Sequence, residues 1–123
     1  MYDHVGLRVK DLDASVRFYE RALAPLGYVL CSRGAEGAGF GPPGAPALWL
    51  HAGGGGRSAA HVAFAAPGRA AVDGFHREGL GAGGRDNGAP GLRADYAPTY
   101  YAAFLLDPDG NNVEAVHMGG AAA

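Results

Sequence analysis

His4 and His61 each open a short apolar run that leads into a helix-like pattern, and a shift of 57 positions carries His4 onto His61, Val5 onto Val62, Phe18 onto Phe75 and Gly27 onto Gly84. The chain therefore reads as two copies of one unit. Paired about a pseudo-twofold axis, such units set two imidazoles at one place. A nearby carboxylate completes a triad that holds a divalent ion and leaves coordination positions open for substrate or water. Glu114 is the candidate third ligand. With Val113 and Ala115 turned toward a helix, strand alternation points Asn112, Glu114 and Val116 the other way, alongside the two histidines. On the same parity His51 and His117 fall out of phase. Spacing alone leaves a competing reading open, since a repeat can keep a histidine for structure as well as for ligation.

The elements that position these residues follow from periodicity. Residues 3–9 alternate, with Val5, Leu7 and Val9 on one face and His4, Gly6 and Arg8 on the other. Asp11 or Asp13 caps a helix in which Leu12, Val16, Tyr19, Leu23 and Leu26 recur before Gly27 stops it. Tyr28 to Ser32, a weak run near Gly39 to Gly41, and Ala47 to His51 read as three strands. The second copy repeats the order: a strand from His61, a helix holding Val72, Phe75, His76 and Leu80, a long irregular stretch, a strand over Thr99 to Leu106, an Asp107-Pro-Asp-Gly turn and a last strand from Asn112 to His117. The expected class is α+β in one domain, with a module over 1–51, a glycine-rich linker over 52–60, a module over 61–118 and a frayed tail over 119–123.

A chain of 123 residues buries a proper core without staples. Cys31, the single cysteine, excludes an internal disulfide and reads as a buried strand residue. Ten basic and twelve acidic residues, spread without blocks, give a net charge of −2 and offer no electrostatic footprint for nucleic acid or an anionic membrane. No leader pattern or long apolar run is present, so the expected setting is cytoplasmic.

The His4-Val-Gly-Leu opening, the helix ending in Leu26-Gly-Tyr, the His61-Val-Ala-Phe strand and above all Phe104-Leu-Leu-Asp-Pro-Asp-Gly-Asn-Asn-Val-Glu114 resemble the vicinal oxygen chelate superfamily of glyoxalases, extradiol dioxygenases, fosfomycin-modifying enzymes and bleomycin-resistance proteins. The resemblance covers essentially the whole chain. It implies two βαβββ modules forming a cupped mixed sheet with helices outside, and a divalent ion (Fe, Mn, Ni or Zn) on His4, His61 and Glu114. It also implies a homodimer in which modules pair within one chain or between two. Glyoxalases of this kind carry a fourth ligand on the fourth strand. An offset of 66, read from Pro42 to Pro108 and His51 to His117, sets Leu48 opposite Glu114, and slips of one, two or three residues offer Trp49, Leu50 or His51. Three ligands fit the dioxygenase or fosfomycin-modifying branches better, although water can fill the fourth place in a lyase or isomerase.

Residues 85–101 form the longest unpatterned stretch and bring Arg93, Tyr96, Tyr100 and Tyr101, which suit a carboxylate or a ring of a small substrate. Trp49 and Arg8 join them as candidate substrate contacts. The leading expectation is a metal-dependent enzyme, lyase, isomerase or dioxygenase, acting on a small oxygenated molecule. The alternative is a metal-free binding protein of the bleomycin-resistance kind.

Overall fold

Alternation in the first strand, β1 (Val5–Val9), turns Leu7 and Val9 into the core and leaves Gly6 and Arg8 exposed, so this short strand has one dry and one wet face. The computed structural model describes residues 1–54 and 59–121. The tip of the expected linker, 55–58, and the end of the expected tail, 122–123, lie outside the described residues. Asp11 caps α1 (Leu12–Leu23) by accepting from the Ala14 amide at 3.1 Å. A 3-10 turn over Ala24–Leu26 then runs to Gly27. The remaining order is β2 (Val29–Arg33), β3 (Gly37–Gly41), β4 (Leu48–Ala52), β5 (His61–Ala65), α2 (Arg69–Gly81), β6 (Arg85–Leu92), β7 (Tyr101–Leu106) and β8 (Asn112–His117).

This is the expected α+β repeat of two βαβββ modules, with the strands divided into two four-stranded sheets, β1-β4-β3-β2 and β5-β8-β7-β6. In each sheet the first strand of the module sits at one edge and pairs in parallel with the fourth, while the other pairings are antiparallel. α1 and α2 pack against one another and against one side of the sheets, which joins Phe18, Tyr19, Phe40, Phe75, Leu50 and Leu105 into one core. The other face of each sheet carries no helix. Among the described residues no helix is long and apolar enough to cross a membrane.

In its elements and their burial the structure departs from the sequence reading in three places. Residues 85–92 form a strand rather than an irregular stretch. Two register shifts, between Asp86 and Gly88 and between Gly88 and Gly91, break its alternation against β7, so no period-two signal survives. Leu80 lies on the exposed side of α2, and Cys31 is only partly buried.

The Asp107 turn fastens the second module to the first. Asp107 Oδ1 accepts from the Asp109 and Asn111 amides at 2.9 and 2.8 Å, and its Oδ2 accepts from Asn111 Nδ2 at 2.8 Å and from the Tyr19 hydroxyl of α1 at 2.5 Å. Asp109 in turn accepts from the Lys10 amide at 2.9 Å and from the Ser15 hydroxyl at 3.3 Å. A buried carboxylate with this many donors is a structural knot between modules.

Candidate functional site

The helix-free face of the second sheet gathers most of the chemistry. Glu114 lies on β8, between Ala63 of β5 and Phe104 of β7, and its side chain is only 2% exposed. A carboxylate so placed needs partners. Oε1 stands 2.6 Å from His61 Nε2, and Oε2 accepts from the Tyr100 hydroxyl at 2.7 Å. Burial, with the Glu114 hydrogen bond and charge behind it, pushes the Tyr100 phenol up to about 12, so at neutral pH it is a proton donor and not a base. Tyr96 packs edge-on to Tyr100, ring centres 4.9 Å apart. Their loop is closed at its base by the Arg93 amide donating to Tyr100 O at 2.7 Å.

Around this pair lie Phe104 and Asn87, which the sequence did not single out, with Arg93, a sequence candidate, and Asn112, placed on this face by strand parity. The Phe104 ring is 6.3 Å from the His61 ring, and the Arg93 guanidinium lies over it, 5.2 Å from the ring centre. Asn112, opposite His61 in the ladder, accepts from Asn87 Nδ2 at 3.1 Å. Phe104 was legible, because it shares the Glu114 row. Asn87 gave no signal, because it sits in the bulge of β6.

The first sheet is arranged differently. His4 precedes β1, is exposed, and keeps Nδ1 2.8 Å from Asp3 Oδ1. The ladder pairs Gly6 with Trp49 and Ala63 with Glu114, so the repeat-related counterpart of Glu114 is Trp49, not Leu48, which is buried on the helix side. The reason is local: five positions separate Gly44 from Trp49 and four separate Gly110 from Glu114, so the offset drops from 66 to 65 within the turn. His51 pairs with Arg8 and therefore shares its face, a correction to the out-of-phase reading. The Trp49 indole lies against Gly39, where a Cβ would stand 2.7 Å from the ring. Arg8 lies exposed on the same face.

Tyr101 is on the opposite side of its sheet. Its hydroxyl donates to Asp73 of α2 at 2.6 Å, and the Arg69 guanidinium lies 4.9 Å from its ring centre. An apolar cavity of about 270 Å³, lined by residues such as Val5, Leu48, Val62 and Phe64, also lies apart from the His61–Glu114 pair.

As donors for a divalent ion, His61 Nε2 and Glu114 Oε1 fit: imidazole nitrogen and carboxylate oxygen converge on one point of the face. They are two, not three. Among the described residues no group of three His, Cys, Asp or Glu side chains gathers, so one chain does not by itself bring His4 to the pair.

Residues 2–115 match the model of the Glyoxalase/Bleomycin resistance protein/Dioxygenase superfamily. No curated protein matches the chain. Among solved structures, a glyoxalase/bleomycin resistance protein from Albidiferax ferrireducens T118 is 31% identical, with a TM-score of 0.82 over 95% of this chain and 98% of that one. A putative glyoxalase from Bacillus halodurans is 25% identical, with a TM-score of 0.70 and 94% of each chain covered. An E144Q glyoxalase I mutant from Zea mays is 26% identical, with a TM-score of 0.69 over 92% of this chain and 45% of that one.

Proposed function

The chain belongs to the Glyoxalase/Bleomycin resistance protein/Dioxygenase superfamily, and on that footing we propose that it is a metal-dependent enzyme acting on a small oxygenated substrate, with a homodimeric site. His61 and Glu114 of one copy and His4 of another hold the ion in this reading. The observation that carries it is the 2.6 Å approach of His61 Nε2 to a Glu114 carboxylate that is 2% exposed on a face no helix covers. β1 and β5 are both sheet edges, each paired on one side only, so β1 of one copy set beside β5 of another brings His4 toward His61.

A divalent ion held there supplies Lewis acidity to adjacent substrate oxygens. The chain's own residues orient the site. Tyr100 donates to Glu114 Oε2 and fixes the carboxylate plane, leaving Oε1 for the ion, while Tyr96 braces the Tyr100 ring. Trp49 offers flat apolar surface to the substrate body, Phe104, 8% exposed, packs beside His61, and Asn112 with Asn87 places carboxamide groups there. Trp49 stands where a fourth ligand would be, and an indole does not coordinate, which favours a three-ligand site with open positions. This supports the dioxygenase or fosfomycin-modifying style over a four-ligand glyoxalase.

A second reading has its own support. Both Glu114 oxygens already have partners, His61 and Tyr100, so the face is also consistent with a metal-free binding protein. Metal analysis of protein purified without chelator separates the two. The enzyme reading expects about one ion per site, lost in His4→Ala and in Glu114→Ala. Metal-free protein that still binds its ligand contradicts it. With metal present, Fe(II) assays with and without dioxygen divide oxygenase from lyase or isomerase.

A further inference from the structure

We propose that Arg93 is a carboxylate subsite, so that the substrate is a small anion; this rests on the reading that the His61–Glu114 face binds substrate. Arg93 follows β6, and its guanidinium is turned back over Phe104, 5.2 Å from the ring centre. Two backbone carbonyls hold it there. Nη1 donates to Gly91 O at 2.9 Å and Nη2 to Ala89 O at 2.7 Å. A guanidinium has five N–H groups, so three remain for an incoming acceptor.

Its charge is uncompensated. Arg21 has Glu78 at 2.8 Å and Arg33 has Asp13, but among the described residues Arg93 has no carboxylate within ion-pair distance. Glu114, across the ladder from Phe104, is already engaged by His61 and Tyr100. A half-buried cation held only by neutral carbonyls keeps its charge available to an incoming anion. Arg93 can bind a carboxylate through two parallel hydrogen bonds.

The backbone is shaped for this pose. Gly88 has φ of +149°, and a Cβ there would stand 3.2 Å from Arg93 Nη2 and 3.0 Å from Phe104 Cδ1. A side chain at that position would crowd both the guanidinium and the ring. The guanidinium and the His61 imidazole both neighbour Phe104, at 5.2 and 6.3 Å from its ring centre. A ligand with its carboxylate on Arg93 therefore passes the exposed edge of Phe104, 8% of the residue, and reaches the His61–Glu114 pair with its far end.

The test uses the metal-stripped protein, ¹⁵N-labelled and titrated with benzoate and with benzamide, its neutral counterpart. Benzoate is expected to shift the Arg93 Nε–H and the Gly88 and Gly91 amide signals saturably, and benzamide to leave them in place. Arg93→Gln should weaken benzoate at least tenfold and Arg93→Lys, which keeps the charge but not the fork, by less. Amide dispersion in both variants verifies folding. Benzoate shifts that persist in Arg93→Gln, equal shifts with benzamide, or none with either ligand would overturn the proposal. Mn(II) broadening of the His61 signals, followed separately, reports the ion site. Its absence would sink the metal reading and leave the carboxylate result standing.

Discussion

Trp49 replaces by an indole what the repeat would make a second Glu114, and in the proposed metal site this one residue sets the number of ligands. It also depends on a glycine. The indole rests on Gly39 so closely that a Cβ would come within 2.7 Å of the ring, and Gly39→Val must push it away. Overpacking of this kind costs about 1–3 kcal/mol. Because Trp49 is the only tryptophan, its fluorescence reports the change directly: the variant should emit further to the red and unfold at lower denaturant. Unchanged emission would mean that the indole is not held there. His4, His61 and Glu114 were legible as candidates because the repeat and the period-two rule need only sequence. The place of Trp49 was not, because a single extra residue between Gly44 and the strand changes every facing position after it, and only the hydrogen-bonded ladder fixes that register.

At the scale of elements, the Asp107-Pro-Asp-Gly-Asn turn is the most family-like segment of the sequence, and the structure gives it a mechanical role. It ties the β7–β8 hairpin to α1 through Tyr19, Ser15 and the Lys10 amide. Burial, and next the Asp107 charge, hold the Tyr19 phenol well above its ordinary range. The folded chain then keeps this proton more tightly than the unfolded one does. That contribution to stability is whole below about pH 10 and is lost as pH rises beyond it. Tyr19→Phe should cost about 1–3 kcal/mol at neutral pH, by taking a donor from a buried carboxylate. It should also make the alkaline fall in stability shallower. Urea titrations at neutral pH and above pH 10 measure both effects, and a variant as stable as the parent, with the same alkaline limb, would contradict the account. The strong helices and the β7–β8 hairpin were readable from periodicity and turn chemistry. β6 was not, because its bulges and its Gly, Asn and Pro residues erase the pattern while pairing with β7 maintains the strand.

For the whole molecule, the two modules of one chain meet through α1, α2 and the Asp107 turn, and leave two helix-free sheet faces with the candidate ligands divided between them. The repeat suggested that three ligands meet, without specifying whether modules pair within a chain or across two. In the described chain His61 and Glu114 meet and His4 does not join them. The central claim is therefore that the site is shared between copies. Mixing His4→Ala with His61→Ala protein, after unfolding and joint refolding, tests it most directly, since both side chains are exposed and Tyr100 still holds Glu114 in the second variant. Each variant alone should bind no stoichiometric metal. In a mixed dimer the His4 of one chain meets the His61 and Glu114 of the other, so random pairing should restore about a quarter of the parental metal per chain. No metal in the mixture, with full occupancy in the parent, would contradict the shared site.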